Sequence, residues 1–371
     1  MFGGVRTSLG VLAAAAGAGA VAAGANGQVD PNSGIDFVRI GAVGNAPYTG
    51  SAPFPYTNYS YGRGQVNYQY SIGRFEVTTA QFAEFYNAAF DRPQSDWLPW
   101  LTPPTYWGAV GTSSHTPGGL RWTVPAGNEM RPVGNISWRA AAMYANWLCN
   151  DKSTDRSAFL NGAYDVGTFS GTDRFTDQLT HNPGARYWIP TWDETLKAFF
   201  YDPNRNGIAQ GGYWTYSDRS DQPLTPGPPG IGQANFGWRD SANSQWTIPL
   251  GAYPTVQTPW GLLDASGGTA EWSEGILLGS QMTHYRVLFG SSWGSPSGDY
   301  IADSVFTVGA ADFPSLDFLD FGVRIASSVP SPSPTAFVLI VSLFHCARRR
   351  RRPHETIHWP RVFRRSSGAI E

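Results

Sequence analysis

The sequence predicts a loop-rich fold with little regular secondary structure. Its 371 residues are 41% hydrophobic and 15% charged, which is enough for one large domain or two small ones with a sizeable core. The 43 glycines and 28 prolines predict many turns and loops rather than long helices. The 15 tryptophans predict a core of large rings held by irregular backbone.

Three short segments have the residue period and the start signals of amphipathic helices. The first follows Thr78 or Thr79, the second follows Ser137, and the third begins at a capping box formed by Thr191 and Glu194. Apolar residues three and four positions apart predict which side of the first two helices is buried. These residues are Phe82, Phe85, Tyr86 and Ala89 in the first helix, and Ala140, Met143, Tyr144, Trp147 and Leu148 in the second.

Strands are predicted on either side of the first turn-rich region. The segment that begins "IDFVRIG" at residue 35 predicts a strand followed by a turn, and "VNYQYSIGRFEV" at 66–77 predicts another. Residues 91–130 are rich in Pro, Gly and Trp and predict a long ordered loop. From residue 201 onwards the pattern predicts short strands and turns, without a fixed-period repeat.

The amino-terminal segment 1–25 has the pattern of a secretory signal peptide. Arg6 is its only charged residue, an alanine-rich apolar stretch follows, and small residues surround Ala25. The alternative is a weak membrane helix, but the high Ala and Gly content would make it a poor anchor. We therefore expect export, with cleavage near Ala25.

The carboxyl-terminal segment 327–352 resembles a PEP-CTERM surface-sorting signal, in which a spacer, an apolar run and arginines follow one another. The apolar run 335–347 is shorter than the ~20 residues of a membrane-spanning helix. Two features depart from the pattern: Pro-Ser-Pro replaces Pro-Glu-Pro, and a basic tail continues over 353–371. The alternative is a basic, disordered tail. The resemblance implies a secreted or cell-surface protein that meets sorting or membrane machinery.

The charge of the chain argues against a nucleic-acid-binding protein, and its cysteine content argues against a disulfide-stabilised domain. Residues 345–371 carry eight arginines against two glutamates, and residues 26–344 carry 17 basic and 26 acidic residues. An acidic body of about −9 argues against nucleic acid as the main partner. Cys149 and Cys346 are the only cysteines, so the body has no disulfide framework.

Five segments in this order carry a resemblance that none of them carries alone. The series resembles the sulfatase-modifying-factor domain of the formylglycine-generating enzyme and its relatives, over about residues 35–326. It implies an elaborated C-type-lectin-like α+β fold. The five segments are "YSIGRFEVTTAQFAEFYNAA", "RPVGNISWRAAAMYANWL", "YWIPTWDETLKAFFYDPN", "PWGLLDASGGTAEW" and "VLFGSSW" with "DFGVRIA".

The resemblance implies a calcium site in the turn "GLLDASGGTAEW". Asp264 and Glu271 would supply side-chain oxygens, and Gly267 and Thr269 would supply carbonyls, as suits an ion that takes six to eight oxygen ligands. Gly268 stands where the family has Asn. The alternative is a glycine turn in which Glu271 bonds backbone N–H groups and a neighbouring tryptophan packs in the core.

The resemblance also implies a second calcium site. Asn235 and the carbonyl of Phe236 would contribute to it, with Asp240 as a candidate acidic partner. Both sites are expectations carried over from the family, and the ligand oxygens they use are hard donors suited to Ca²⁺.

The family's copper-binding cysteine pair is missing. Ser295 and Tyr300 occupy the two positions, and neither side chain replaces a thiolate as a Cu(I) ligand. Phe289 stands where the family has an arginine. Copper is therefore not expected. His115, His181 and His284 have no metal-ligand spacing, so a histidine-bound catalytic metal is not indicated either.

Two functions therefore remain open from the sequence. The first is an exported, non-catalytic domain that acts as a surface binding or structural module for an unknown ligand, such as a glycan or a protein. The second is a formylglycine-generating oxidase that converts a sulfatase cysteine. The missing cysteines favour the first.

Overall fold

The computed structural model describes residues 28–112, 119–238, 245–279 and 284–328, which all belong to one compact unit. The predicted signal peptide 1–25, the segment 329–371 and Asp240 lie outside the described residues. Among the residues that are described, no helix is long and apolar enough to cross a membrane.

The described residues form thirteen strands and four α-helices. The helices are α1 (Thr79–Phe90), α2 (Trp138–Cys149), α3 (Arg156–Leu160) and α4 (Trp192–Phe200). The strands are β1 (Gln28–Val29), β2 (Asp36–Ile40), β3 (Tyr70–Gly73), β4 (Val110–Gly111), β5 (Trp122–Thr123), β6 (Tyr187–Trp188), β7 (Tyr201–Asp202), β8 (Gly212–Tyr213), β9 (Ala270–Leu278), β10 (His284–Phe289), β11 (Ala310–Asp312), β12 (Phe321–Val323) and β13 (Ala326–Ser328).

Two sheets organise the unit. One has the strand order β1-β2-β3-β13-β6 and the other has the order β11-β10-β9-β12, while β4-β5 and β7-β8 form two small ribbons. The strands β12 and β13 lie in different sheets, although only Arg324 and Ile325 separate them. Gly322 pairs with Glu271 in a parallel ladder, and Ala326 pairs with Ile72 in an antiparallel one. The chain therefore passes from one sheet to the other at Arg324.

The three predicted helices begin at the predicted capping residues. Thr78 caps α1 and shares a reciprocal capping box with Gln81, and Ser137 accepts a hydrogen bond from the third residue of α2. Thr191 and Glu194 form the predicted capping box of α4. All nine residues predicted to face the core of α1 and α2 are buried.

Aromatic rings fill the core between the helices and the sheets. The ring of Phe85 lies 5.3 Å from that of Tyr144 and 5.6 Å from that of Trp147, so α1 packs on α2 through aromatic contacts. Trp272 of β9 is 1% exposed, and its indole N–H donates to the carbonyl of Ile136 over 2.7 Å. Trp272, the tryptophan that follows the glycine turn, therefore packs in the core.

The longest strand departs from the prediction of only short strands after residue 201. β9 spans nine residues and forms a bulged hairpin with β10. Its first six residues are all buried, so the apolar and polar alternation of a half-exposed strand is absent. The short helix α3 was also not predicted from the sequence.

Candidate functional site

Arg324 is fully buried at the crossover between the two sheets. Its guanidinium donates to Glu271 of β9, with the shortest contact, from Nη2 to Oε1, at 2.7 Å. Further donations from Arg324 reach the carbonyls of Gly73 (2.9 Å), Arg74 (2.6 Å), Leu263 (3.0 Å) and Asp264 (3.3 Å). One side chain therefore ties the end of β3, the turn before β9 and β9 itself together.

Three acidic side chains surround this guanidinium, and we refer to Glu76, Asp264 and Glu271 as the carboxyl cluster. Glu76 accepts from the backbone N–H of Thr269 at 3.0 Å and from its hydroxyl at 2.8 Å. Asp264 accepts from the N–H of Gly251 at 2.6 Å. Arg324 therefore contacts both predicted ligands, through the carboxylate of Glu271 and the backbone carbonyl of Asp264.

Burial sets the electrostatics of the carboxyl cluster. Burial raises the pKa of Asp264 to about 6, although the N–H of Gly251 and the charge of Arg324 act in the opposite direction. Burial, reinforced by the charge of Glu271, also raises the pKa of Glu76 well above its usual value. One guanidinium therefore does not compensate three buried carboxylates, and the cluster has a surplus of negative charge when ionised.

Both glycines of the turn are closely approached, one by backbone and the other by a buried side chain. Gly267 has a φ of +75°, and a Cβ there would lie 2.5 Å from the backbone nitrogen of Asn235. Gly268 has a φ of +73°, and a Cβ there would lie 2.6 Å from a carboxylate oxygen of Glu76. Asn at position 268 would face the same obstacle, which gives a physical reason for the departure from the family pattern.

The structure brings the two predicted calcium sites together. Asn235 forms a parallel bridge with Gly267, and its carbonyl accepts from the N–H of Gly268 at 3.3 Å. The side-chain oxygen Oδ1 of Asn235 is buried and has no hydrogen-bond partner. Phe236 is fully buried in a small second core cluster. The orphaned oxygen of Asn235 is a free acceptor of the kind that a hard cation uses.

The alternative arrangement, in which Glu271 accepts backbone N–H groups of the turn, does not form. In the described part of the chain, Arg324 supplies the donors to Glu271, and the carboxylate that accepts a backbone N–H of the turn is that of Glu76. Among the same residues, no three His, Cys, Asp or Glu side chains converge on a position for a metal ion. A calcium ion here would therefore need backbone carbonyls as ligands.

Residues 290–300, which stand in place of the family's copper site, are rich in hydroxyls, and we call them the hydroxyl-rich loop. Ser295 accepts from the backbone N–H of Ser292 at 3.1 Å, and the Ser292 hydroxyl donates to Asp320. Tyr300 lies in a 3₁₀ turn and packs against the core cluster that contains Phe236. The described cysteine, Cys149, lies on α2 and donates to the carbonyl of Tyr187 at 3.3 Å.

The two described histidines contact different residues. His181 contacts Glu274 at 2.9 Å between Nδ1 and Oε1, and its ring stacks on Trp188. His284 packs edge-on against Phe175. His115 lies outside the described residues.

Sequence reasoning missed Glu76 and Arg324 as members of this site. Both lie inside quoted segments of the family pattern, "GRFEVTT" and "DFGVRIA". Glu76 lies 193 residues before its partner Thr269. Arg324 lies 53 residues after its partner Glu271. Their positions in the pattern were therefore visible, but their contacts were not.

Comparison with known proteins identifies the family. The model for the sulfatase-modifying factor enzyme 1-like domain matches residues 48–329. The chain belongs to this family. A search of curated proteins finds no match.

The solved structure of CarF, together with the family match, shows that this domain has the α+β fold of its family, an elaborated C-type-lectin-like fold. The crystal structure of CarF is 19% identical, with a TM-score of 0.50 over 80% of this chain and 99% of CarF. PvdO from Pseudomonas aeruginosa is 16% identical, with a TM-score of 0.46 over 82% of this chain and 98% of PvdO. Treponema denticola variable protein 1 is 16% identical, with a TM-score of 0.47 over 79% of this chain and 95% of that protein.

A buried acid beneath the hydroxyl-rich loop predicts a pH dependence of stability. Asp303 is 1% exposed and accepts from the N–H and the hydroxyl of Ser291 at 2.7 and 2.8 Å. Burial raises its pKa from 3.8 to about 7, although hydrogen bonds from Ser291 and Ser266 lower it in part. The folded state therefore binds this proton more tightly than the unfolded state does.

We expect Asp303 to lower the free energy of unfolding as pH rises from about 4 to about 7, by on the order of 1.4 kcal/mol per pH unit. The sign follows because more protons are bound to the folded state in this window. Asp303→Asn keeps the side-chain size and removes the titration. Denaturant unfolding across pH 4–8 should show the wild type losing stability relative to the variant up to pH 7. Parallel curves for the two proteins would contradict the assignment.

Proposed function

We propose that this domain is an exported, non-catalytic module that binds a ligand at the cell surface or has a structural role there. The observation that carries the proposal is the occupation of both copper-ligand positions by other residues, Ser295 and Tyr300. Cu(I) prefers soft thiolate ligands, and a hydroxyl or a phenol is a hard donor.

Cys149 does not offer a substitute thiolate. It lies on α2, where its thiol donates to a backbone carbonyl, and burial raises its pKa. A buried thiol with a raised pKa stays protonated and is a poor metal ligand. The loop that contains Ser295 also lacks a described histidine that could activate its hydroxyl, since His181 and His284 have partners elsewhere.

Export and surface attachment are part of the proposal. The pattern of residues 1–25 supports secretion, and the layout of 327–352 supports recognition by sorting or membrane machinery. The acidic body supports a ligand other than nucleic acid, such as a glycan or a protein.

The direct test of this proposal is an oxidase assay. We expect the purified protein, incubated with copper and a Cys-x-Pro-x-Arg peptide, to consume no oxygen above a protein-free control and to leave the cysteine unmodified. Metal analysis should find no stoichiometric copper. One tightly bound copper per chain together with an aldehyde product would show that the protein is the oxidase instead.

We also propose that the turn around Gly267 binds calcium as a structural ion. Asp264, Glu271 and the carbonyls of Gly267 and Thr269 would hold one ion, and the orphaned oxygen of Asn235 with the carbonyl of Phe236 would serve a second. A dication would neutralise the surplus negative charge of the carboxyl cluster. The donors suit such an ion because all are oxygens, and the cluster has three carboxylates against the single guanidinium of Arg324.

Removal of calcium should lower the melting temperature of the wild type. An ion that binds only the native state adds about 2.7 kcal/mol to the free energy of unfolding when its concentration is a hundred times Kd. We expect a loss of several degrees in chelator relative to millimolar calcium, and a much smaller loss for Asp264→Asn, which keeps shape but removes a charge.

Trp272→Ala is the matched control for this melt. It creates a void in the core, so it should cost roughly 3–5 kcal/mol in both buffers. Glu271→Gln is unsuitable as a ligand test because it also leaves Arg324 buried without its counter-charge. Equal melting of the wild type with and without calcium would show that the turn does not depend on the ion.

A further inference from the structure

Three partly exposed rings from distant parts of the chain meet beside the hydroxyl-rich loop. We call Tyr106, Trp246 and Trp293 the aromatic platform. The ring centroid of Tyr106 lies 5.3 Å from that of Trp293 and 6.1 Å from that of Trp246, at interplanar angles of 47° and 79°. The rings are therefore inclined to one another and form a cradle rather than a flat stack.

Backbone hydrogen bonds fix the chain at two of the three rings, and a guanidinium packs on the third. The N–H of Trp293 donates to the carbonyl of Gly268 at 2.8 Å, and the carbonyl of Tyr106 accepts from Gly134 at 2.8 Å. Arg131 lies over the ring of Trp246, 5.7 Å from its centroid. Little ordering cost would accompany a ligand that packs on such rings.

A carboxylate and a hydroxyl contact the residues that flank Trp293. Asp320 accepts from the hydroxyl of Ser292, the residue before Trp293, and Ser295 lies two residues after that ring. A Cβ at Gly294 would lie 2.7 Å from Asp320 Oδ2, so the glycine leaves the carboxylate uncovered beside Trp293. Leu319, which is 38% exposed, extends the apolar surface on the same side.

We propose that the aromatic platform binds a neutral saccharide. The inference rests on the proposed function and specifies its ligand. Ring faces pack against the C–H faces of a sugar ring, while the hydroxyls of the sugar donate to Asp320 and exchange hydrogen bonds with Ser295. A site with an apolar surface and a few placed polar groups is the usual design for small-ligand recognition.

Charge and hydrogen-bond chemistry favour this ligand over the alternatives. The acidic body and the carboxylate of Asp320 oppose sulfated or uronic saccharides. A proline-rich peptide also packs on aromatic grooves, but it presents mainly carbonyl acceptors because proline has no N–H. Such a peptide would add no donor to the carboxylate of Asp320 beyond the Ser292 hydroxyl, whereas a sugar hydroxyl supplies a second one.

The test uses the purified full chain on an array of neutral, sulfated and uronic oligosaccharides, with proline-rich peptides as a further arm. Titration calorimetry with the best neutral oligosaccharide follows, on the wild type and on Trp246→Ala, Trp293→Ala and Asp320→Asn. We expect binding of neutral saccharides and a loss of at least tenfold in affinity for each variant. Thermal melts check that each variant is folded.

Trp214→Ala is the matched control. Trp214 is also partly exposed and lies under an arginine, Arg205, at 4.5 Å from the ring centroid, but it is outside the platform. The affinity of Trp214→Ala for the neutral oligosaccharide should stay within twofold of that of the wild type.

Three outcomes overturn the saccharide site: binding only of anionic saccharides, binding only of proline-rich peptides, or unchanged affinity in folded Trp246→Ala. An array with no bound neutral saccharide also overturns it. If the oxidase assay is negative in that case, the non-catalytic proposal stands with another ligand. A positive oxidase assay removes both proposals.

Discussion

The buried ion pair between Arg324 and Glu271 is the interaction on which the rest of the domain depends. Arg324 lies between the last strand of one sheet and the last strand of the other, where only two residues make the crossing. Its guanidinium satisfies carbonyls at the end of β3 and in the turn before β9 while it neutralises a carboxylate of β9. Burial lowers the pKa of Arg324, but the charge and hydrogen bonds of Glu271 together with the charges of Glu76 and Asp264 outweigh this, so the pKa is raised. The cation therefore stays charged in the core, where its loss would leave several acceptors and one acid without partners.

The same interaction explains why the turn at 261–272 has its composition. The carbonyls of Leu263 and Asp264 point at Arg324, and Asp264 adopts a φ of +53°, which is uncommon for a residue with a side chain. Gly267 and Gly268 leave room for Asn235 and Glu76. The resulting concentration of buried acids is costly in the absence of a further cation, which links the architecture of the turn to the proposed calcium ion.

Local signals predicted the helices well, because the signals and the structure involve the same few residues. Thr191 and Glu194 are three residues apart, and their reciprocal bonds can be read from the sequence alone. The strand β9 was harder to predict, because both of its faces are buried and its sequence does not alternate. The fold class itself followed from the ordered family segments, which the match over 48–329 supports.

The contacts of the site could be predicted only in part. Sequence placed Asp264, Gly267 and Glu271 in one turn, but it could not show that Glu76 and Arg324 reach them from distant segments. The aromatic platform was not anticipated either, since Tyr106, Trp246 and Trp293 come from three loops without a shared period. Long-range packing decides both arrangements, and single-sequence patterns carry little information about it.

A double-mutant cycle on Glu271→Gln and Arg324→Met tests the central role of the buried pair most directly. Each single variant should lose about 3–5 kcal/mol of unfolding free energy, because it leaves one charge buried without its partner. The double variant should lose clearly less than the sum, by about 1–3 kcal/mol. The exposed pair Arg205–Asp221, with a contact of 2.6 Å, is the control and should couple by less than about 1 kcal/mol. Additive losses at Glu271 and Arg324 would contradict the account.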